Sequence, residues 1–515
     1  MAVAEWQYGS AALGFNLDPT SDADWDEMDG LYAALYDREL SPEVLRPLRQ
    51  ILAIVRAGGC RTLVVERNYI DLDYRSEYSA FWSRLFEDKP AIVPRLHFFS
   101  HRFGLDELHE IPEPDSYLGY SVLRPTELGP VGRTLLRKPP WASAAKITEV
   151  TETPTLFGTP LPFAGVPFYQ QDGQLMRCAH VVAWTAHYAA SDLAAVARVP
   201  AADIALLPPA VASRYRPLPA SGLTMEQLQY LLTSLGLPAL VYEVNNLPPV
   251  PGTNRWRYTR LRGIGPPTRS RRRARADYRD RILRVACKYL NSGLPVIVLT
   301  SEQHAFTLVG WERLAEDSVR LLACDDQVGP YVIVDPLETG HCGAWESLMV
   351  PVPEKVLLAG EAAERRALDM LLIFAARSSD PRERDVHRFA ENVAPRGPGS
   401  VRARLMAGKD YKVQLGARGL PEAVVRMFRF ADLSHWVWVV ELHDRNLRGA
   451  QSPCVRAEIV FDSTSHDDDP SAHLAITPST ALDVGVYLRQ HGQPGPSEGL
   501  FEGQINPWES IIADA

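Results

Sequence analysis

Residues 293–311, GLPVIVLTSEQHAFTLVGW, constrain the fold more than any other stretch of this chain. Two apolar runs, LPVIVLT and AFTLVGW, flank the short polar turn SEQ, and His304 stands where the turn meets the second run. Apolar runs of this length bounded by turn residues read as buried strands. Gly293 reads as the stop of a preceding helix. A third apolar run, VRLLAC at 319–324, leads into Asp325 and Asp326 and then a Gly–Pro turn, and reads as the next antiparallel strand.

The rest of the chain is organised around this segment. At 515 residues it is too long for one core, and a prior of roughly 150 residues per domain predicts about three. An N-terminal mixed α/β domain is expected over 1–150. It opens on a polar, acidic lead-in of about 30 residues. A helix follows over 42–58 (PEVLRPLRQILAIVRAG), then a strand (CRTLVVERNYI), a second helix (SEYSAFWSRLFED) and another strand (SYLGYSVLRP). Residues 129–165, rich in Pro, Gly and Thr, read as a connecting segment. A second domain is expected over 151–380, and a C-terminal strand-rich domain over 381–515, behind a Pro/Gly boundary at 379–400. The overall class is α+β. The one dense basic cluster, RSRRRARADYRDR at 269–281, reads as an exposed loop leading into a helix.

Bulk properties exclude several functions. Hydrophobic residues make up 46% and charged residues 23%, ordinary values for a soluble globular chain. The net charge of −9 gives no reason to expect nucleic acid or an anionic membrane as partner. No apolar run approaches the roughly 18–20 residues of a membrane helix, and no secretory signal is legible. The six cysteines are scattered, none in CxxC spacing, so neither a zinc ribbon nor a disulfide framework is expected. Free thiols in a reducing cytoplasm are the expectation.

One constellation carries chemistry. A cysteine hydrolase needs a thiolate, a base, a group that orients the base, and donors for an oxyanion. Cys178 follows the polar, turn-like QQDGQLMR and opens the helix CAHVVAWTAHYAA, and a helix N-terminus favours negative charge on a thiol. His304, at the head of a buried strand, is placed to serve as base. Asp325 or Asp326 then supplies the carboxylate that orients the histidine. Asp325 is preferred, because alternation along a strand lets only one of the pair face it. Gln170, Gln171 and Gln174 stand just upstream of the nucleophile as oxyanion donors, with Gln171 preferred and the Cys178 backbone N–H as second donor. His180 and His187 lie on the same helix without an acidic partner for a metal.

This order of motifs resembles the papain-like cysteine peptidases: Gln before a Cys-headed helix, then Gly293–Leu–Pro–Val–Ile, then His304–Ala–Phe–Thr–Leu–Val–Gly–Trp311, then Asp325 before Gly–Pro. It is most similar to the bacterial branch that includes the double-glycine leader peptidases of bacteriocin exporters. The resemblance covers about 166–356. It implies a helical half and an antiparallel half with the site between them, Cys178 as nucleophile, His304 as base, Asp325 as orienter and Gln171 as oxyanion donor. Gln171 stands seven residues before Cys178, one more than is common in that family. The implied reaction is cleavage of a peptide or isopeptide bond in a peptide or protein substrate, through a thioester on Cys178, with no cofactor and no metal. The same intermediate serves a transglutaminase-like acyltransferase, and an inactive peptidase-like scaffold is the alternative of another class.

Overall fold

The protein is described by a computed structural model covering residues 5–104, 106, 107, 114–207, 220, 222–247, 269–314, 318–338, 343–377, 380–386, 401–444, 454–484, 486, 500–506, 508 and 509. It mixes helices with antiparallel sheets and divides into two compact units. The first comprises 1–242 and 293–353, the second 243–292 and 354–515.

The first unit holds two large sheets and a two-stranded one, Thr155–Leu156 with Thr159–Pro160. The larger has eight strands, in the order Trp6–Tyr8, Ala12–Asn16, Thr62–Tyr69, Val93–Phe99, Tyr117–Leu123, Val131–Leu136, Phe163–Phe168 and Val150–Glu152. Every one of these pairings is antiparallel. In the second sheet Ala239–Glu243 is followed by Trp345–Pro351, Val296–Thr300, Ala305–Arg313, Val319–Asp325 and Gly329–Val334. The short strand Lys146–Ile147 also pairs with Ala305–Arg313. Val296–Thr300 and Ala305–Arg313 form the expected hairpin, with Val298 opposite Phe306. Val319–Asp325 lies antiparallel to Ala305–Arg313, with Thr307 opposite Cys324.

The boundary expected at 150 falls inside the large sheet. Residues 129–165 are not a connector: Val131–Leu136 and Phe163–Phe168 pair in the interior of the large sheet, so a boundary at 150 would cut it. The packing agrees. One apolar cluster joins Tyr74, Tyr117 and Leu135 to Trp184, Ile297 and Met349. Another joins Phe15, Ile51 and Phe98 to Val309, Cys324 and Tyr331. A unit that buries its large side chains in such shared clusters does not split at residue 150.

The acidic lead-in is ordered as well. Ala12–Asn16 pairs with Thr62–Tyr69, and Trp25 and Met28 on the helix Asp22–Met28 are buried. The helix expected over 42–58 spans Arg46–Ala57, with Pro47 in its first turn and Gly58 as its C-cap. The following helix starts earlier than expected, at Leu72, because the Asp71 side chain caps it by accepting from the Tyr74 N–H at 2.9 Å.

The second unit carries the strand-rich C-terminal region. Its antiparallel strands run in the order Val401–Ala407, Trp436–Asp444, Cys454–Asp462, Ala472–Ile476, Thr480–Asp483 and Leu500–Glu502, and Trp508–Glu509 pairs with Cys454–Asp462. The Arg-rich segment is not a loop: Arg269–Asn291 is one helix of this unit. Arg is a good helix former, and charge density alone does not unmake a helix. Further along, Lys288 is buried on that helix and bridges Glu361 at 2.8 Å and Glu364 at 2.9 Å on the helix Gly360–Arg377. The Pro/Gly boundary expected at 379–400 lies mostly outside the described residues. No helix among the described residues is long and apolar enough to cross a membrane.

Burial fixes the charge state of three histidines in the first unit. It pushes His97, His180 and His187 each down to about 4. A free histidine titrates near 6.5, so between about 6.5 and 4 the unfolded chain binds more protons than the folded one. Stability is therefore fully present above this window and is lost as pH falls through it. Urea midpoints at pH 7 and pH 5 should differ in that direction. His187→Asn should shrink the difference; an undiminished drop would remove His187 from the account.

Candidate active site

The position of the candidate nucleophile is built by the helix Cys178–Ala194. Arg177 precedes it in extended conformation, and Cys178 is its first residue. The N–H groups of a helix's first turn have no partner within the helix, so they face whatever lies beside Cys178. Two bonds fix this end. The Arg177 N–H donates to His180 Nδ1 at 3.4 Å, and Arg177 Nε donates to the Ala220 carbonyl at 2.8 Å. From Ala179 to Ser191 the helix is buried throughout. Trp184 Nε1 donates to Asp73 Oδ1 at 3.0 Å, and the Trp184 ring packs 4.9 Å from both Tyr169 and Tyr188.

The loop that delivers Cys178 hangs on buried charge. Asp172 Oδ1 accepts from the N–H groups of Gln174 at 2.8 Å, Leu175 at 2.7 Å and Met176 at 3.2 Å. Arg124, wholly buried, lies 3.7 Å from Asp172 and donates to both oxygens of Glu77 at 3.0 Å and to the Gln170 carbonyl at 2.6 Å. Tyr169 adds a bond to Glu77 at 2.8 Å. Burial, against the pull of Arg124, pushes Glu77 up to about 7. Gly129 passes so close that a Cβ there would lie 2.2 Å from the Gln171 carbonyl oxygen.

The antiparallel ladder brings the candidate base and its candidate carboxylate to one end of the second sheet. His304 precedes the strand Ala305–Arg313, and Asp325 ends the strand Val319–Asp325. The turn before His304 puts Gln303 in the left-handed region at φ 54°. Thr300 N–H donates to the His304 carbonyl at 3.0 Å. His304 Nε2 lies 3.0 Å from Asp325 Oδ2, and Asp325 Oδ1 accepts from the Gln327 N–H at 2.9 Å. The other ring nitrogen, Nδ1, is 3.3 Å from the Gln327 side-chain amide.

Cys178 and His304 meet from these two directions. The Cys178 thiol lies 3.9 Å from the carbonyl oxygen of Gln303, the residue before the histidine. Burial lowers the affinity of His304 for a proton. Hydrogen bonds with Asp325 and Cys178, and the charges of Asp325 and Asp326, outweigh it and raise the group to about 10. The half-buried thiol, the imidazole and the Asp325 carboxylate thus form one connected set.

The other expected residues fall less simply. Gln170 is committed to the backbone: its Oε1 accepts from the Val131 N–H at 3.1 Å and its Nε2 donates to the Val44 carbonyl at 2.9 Å. These two bonds hold the side chain on the backbone and engage one of its two amide N–H donors. Gln171 and Gln174 are both half-buried, and no hydrogen bond of the Gln171 amide is present among the described residues. Asp326 corrects the alternation argument. Its carboxylate lies with His304 and Asp325, the three ligand-type atoms all within 4.8 Å of one another. The register of this ladder shifts between Ala323 and Asp325, and the strand ends at Asp325. Asp326 is therefore in the turn, where strand alternation does not apply. Burial first, then the Asp325 charge, pushes its carboxyl up to about 7.

Cys324, beside this pair, is a core residue: it is buried against Pro167, and burial pushes its thiol up to about 12. The Arg124–Glu77–Asp172 cluster was not expected from the sequence. Its members are separated by tens of residues, and an isolated Arg, Glu or Asp carries no local signal of burial.

No known protein family, characterised protein or solved structure matches this chain.

Removing Arg124 leaves two buried carboxylates without their cation. Arg124→Met should destabilise the first unit by about 3–5 kcal/mol in chemical denaturation, the usual cost of breaking a buried pair from one side. A loss under about 1 kcal/mol would mean that Glu77 and Asp172 are neutral in the folded protein.

Proposed function

We propose that the first unit is a papain-like cysteine hydrolase that cleaves a peptide or isopeptide bond through a thioester on Cys178. The observation that carries this reading is the connected set Cys178–His304–Asp325, with the thiol on the first residue of a helix and the histidine bonded to a buried carboxylate. With Nε2 given to Asp325, Nδ1 is the nitrogen left to exchange a proton with the thiol. The ring holds the proton taken from the thiol, and Sγ attacks the substrate carbonyl as the thiolate. The carbonyl oxygen becomes an oxyanion beside the helix N-terminus, where the Cys178 N–H and the Gln171 amide are the proposed donors. Collapse breaks the C–N bond, and the ring gives its proton to the leaving amine. Water then attacks the thioester, with the ring again taking a proton, and releases the acid and the thiol.

Asp325 holds the ring and stabilises its charged form, the role expected of the third member of such a set. Among the described residues Cys60, Cys178 and Cys324 are free thiols, which suits a reducing compartment such as the cytoplasm.

The test is thiol selectivity. Substoichiometric iodoacetamide at neutral pH should label Cys178 ahead of Cys60 and Cys324, whose buried thiols are each pushed up to about 12. A peptidyl acyloxymethyl ketone should label the same residue. His304→Ala should slow labelling of Cys178 by about tenfold or more, and Asp325→Asn by less, since an amide still holds the ring. Label spread evenly over the thiols, or a His304→Ala rate equal to wild type, would overturn the reading.

A further inference from the structure

Asp326 is the one member of the His304 cluster that the hydrolase mechanism does not use. It is 3% exposed, and neither of its carboxylate oxygens has a hydrogen-bond partner among the described residues. A carboxylate offers about four lone-pair sites, and burying it with none of them met is costly. Asp326 also sits beside a second buried carboxylate, Asp325, which is 2% exposed. Two carboxylates held together out of water are stabilised by a proton or by a cation between them. His304, already bonded to Asp325, supplies at most one positive charge to the pair.

The three side chains converge on one point. A ring nitrogen of His304 and one oxygen each of Asp325 and Asp326 lie within 4.8 Å of one another, and all three residues are buried. Zinc–ligand bonds of about 2.0–2.2 Å place tetrahedral ligands about 3.5 Å apart, so closing on an ion needs a movement of about 1 Å at the carboxylates. Imidazole with two carboxylates is a donor set for zinc, manganese or iron(II) rather than for magnesium or calcium. A neutral imidazole and two carboxylates balance the charge of a divalent ion.

We propose that His304, Asp325 and Asp326 form a binding site for a divalent transition-metal ion of the zinc class. On binding, the ring N–H gives its proton to solvent and the freed nitrogen lone pair ligates the metal. The His304–Asp325 hydrogen bond is replaced by two bonds to the same ion. The site does not depend on Cys178 being a nucleophile. Where Cys178 is one, the metal removes both its base and the carboxylate that orients the base, so the bound form is the inactive form.

The experiment uses the full chain, stripped of metal with a chelator and then titrated with Zn²⁺ in competition with a chromophoric chelator. Wild type should take up one equivalent. Asp326→Asn should weaken binding by at least about tenfold, and Cys178→Ser should leave it within about threefold. Circular dichroism of each variant separates lost binding from lost folding. Co²⁺ substitution of wild type serves as a second measurement independent of any variant, and should give ligand-field bands without a sulfur-to-cobalt charge-transfer band. Three results would overturn the site: no saturable uptake by wild type, binding lost in Cys178→Ser but kept in folded Asp326→Asn, or a strong sulfur charge-transfer band. The last two would place the ion on the thiol. None of these results reads Cys178 alkylation, so the site and the hydrolase reading stand or fall separately.

Discussion

The first unit depends on a cation with no access to water. Arg124 is completely buried, yet it touches the carboxylate of a helix in the N-terminal part of the chain, Glu77, and the loop that leads to Cys178, through Asp172 and the Gln170 carbonyl. A buried guanidinium is costly unless its donors are met; here Nη1 and Nη2 are met by groups that would otherwise be stranded themselves, while Nε has no partner among the described residues. The geometry of the 172–176 loop follows, because three successive N–H groups converge on the Asp172 oxygen. The place where the helix starts, and with it the position of the Cys178 thiol, is inherited from that loop. The two halves of the candidate site are positioned by different means: one by buried polar bonding, the other by a β-ladder.

That difference explains what the sequence showed and what it hid. His304 and Asp325 were legible because each sits at the end of an apolar run, and a hairpin register carries such ends to the same edge of a sheet. Cys178 was legible because a polar turn gives way abruptly to a helical apolar pattern. Arg124, Glu77 and Asp172 were not, since nothing local distinguishes them from solvated charges and only tertiary packing pairs them. Asp326 was misread for a related reason. The period-two rule holds inside a ladder, and the ladder stops one residue earlier.

The domain division was misread through composition. Residues 129–165 carry the Pro and Gly of a connector, but several of these residues are forced by close approach. Gly129 faces the Gln171 carbonyl, and a Cβ on Gly165 would lie 2.7 Å from the Leu136 carbonyl oxygen. Glycine in a strand often marks such an approach of backbones rather than a break. The Arg-rich segment was misread the opposite way, charge density being taken for a loop where helix propensity prevails.

The cluster at the end of the second sheet is where these constraints meet chemistry. A single carboxylate beside His304 would satisfy the needs of a cysteine hydrolase, because one acceptor orients the ring and stabilises its charge. A second one, buried and unbonded, adds nothing to orientation, and Asp325 already occupies the Nε2 side. Its effect on the imidazole is electrostatic: it favours the charged ring, which holds a proton more tightly and returns it to a leaving group less readily. For a proton carrier that is a handicap, whereas for a metal centre two carboxylates and one imidazole are a complete protein ligand set with an open position left over. The two proposals therefore place the His304 ring in two states of one cluster, sharing a proton with Cys178 in one and ligating an ion with both aspartates in the other.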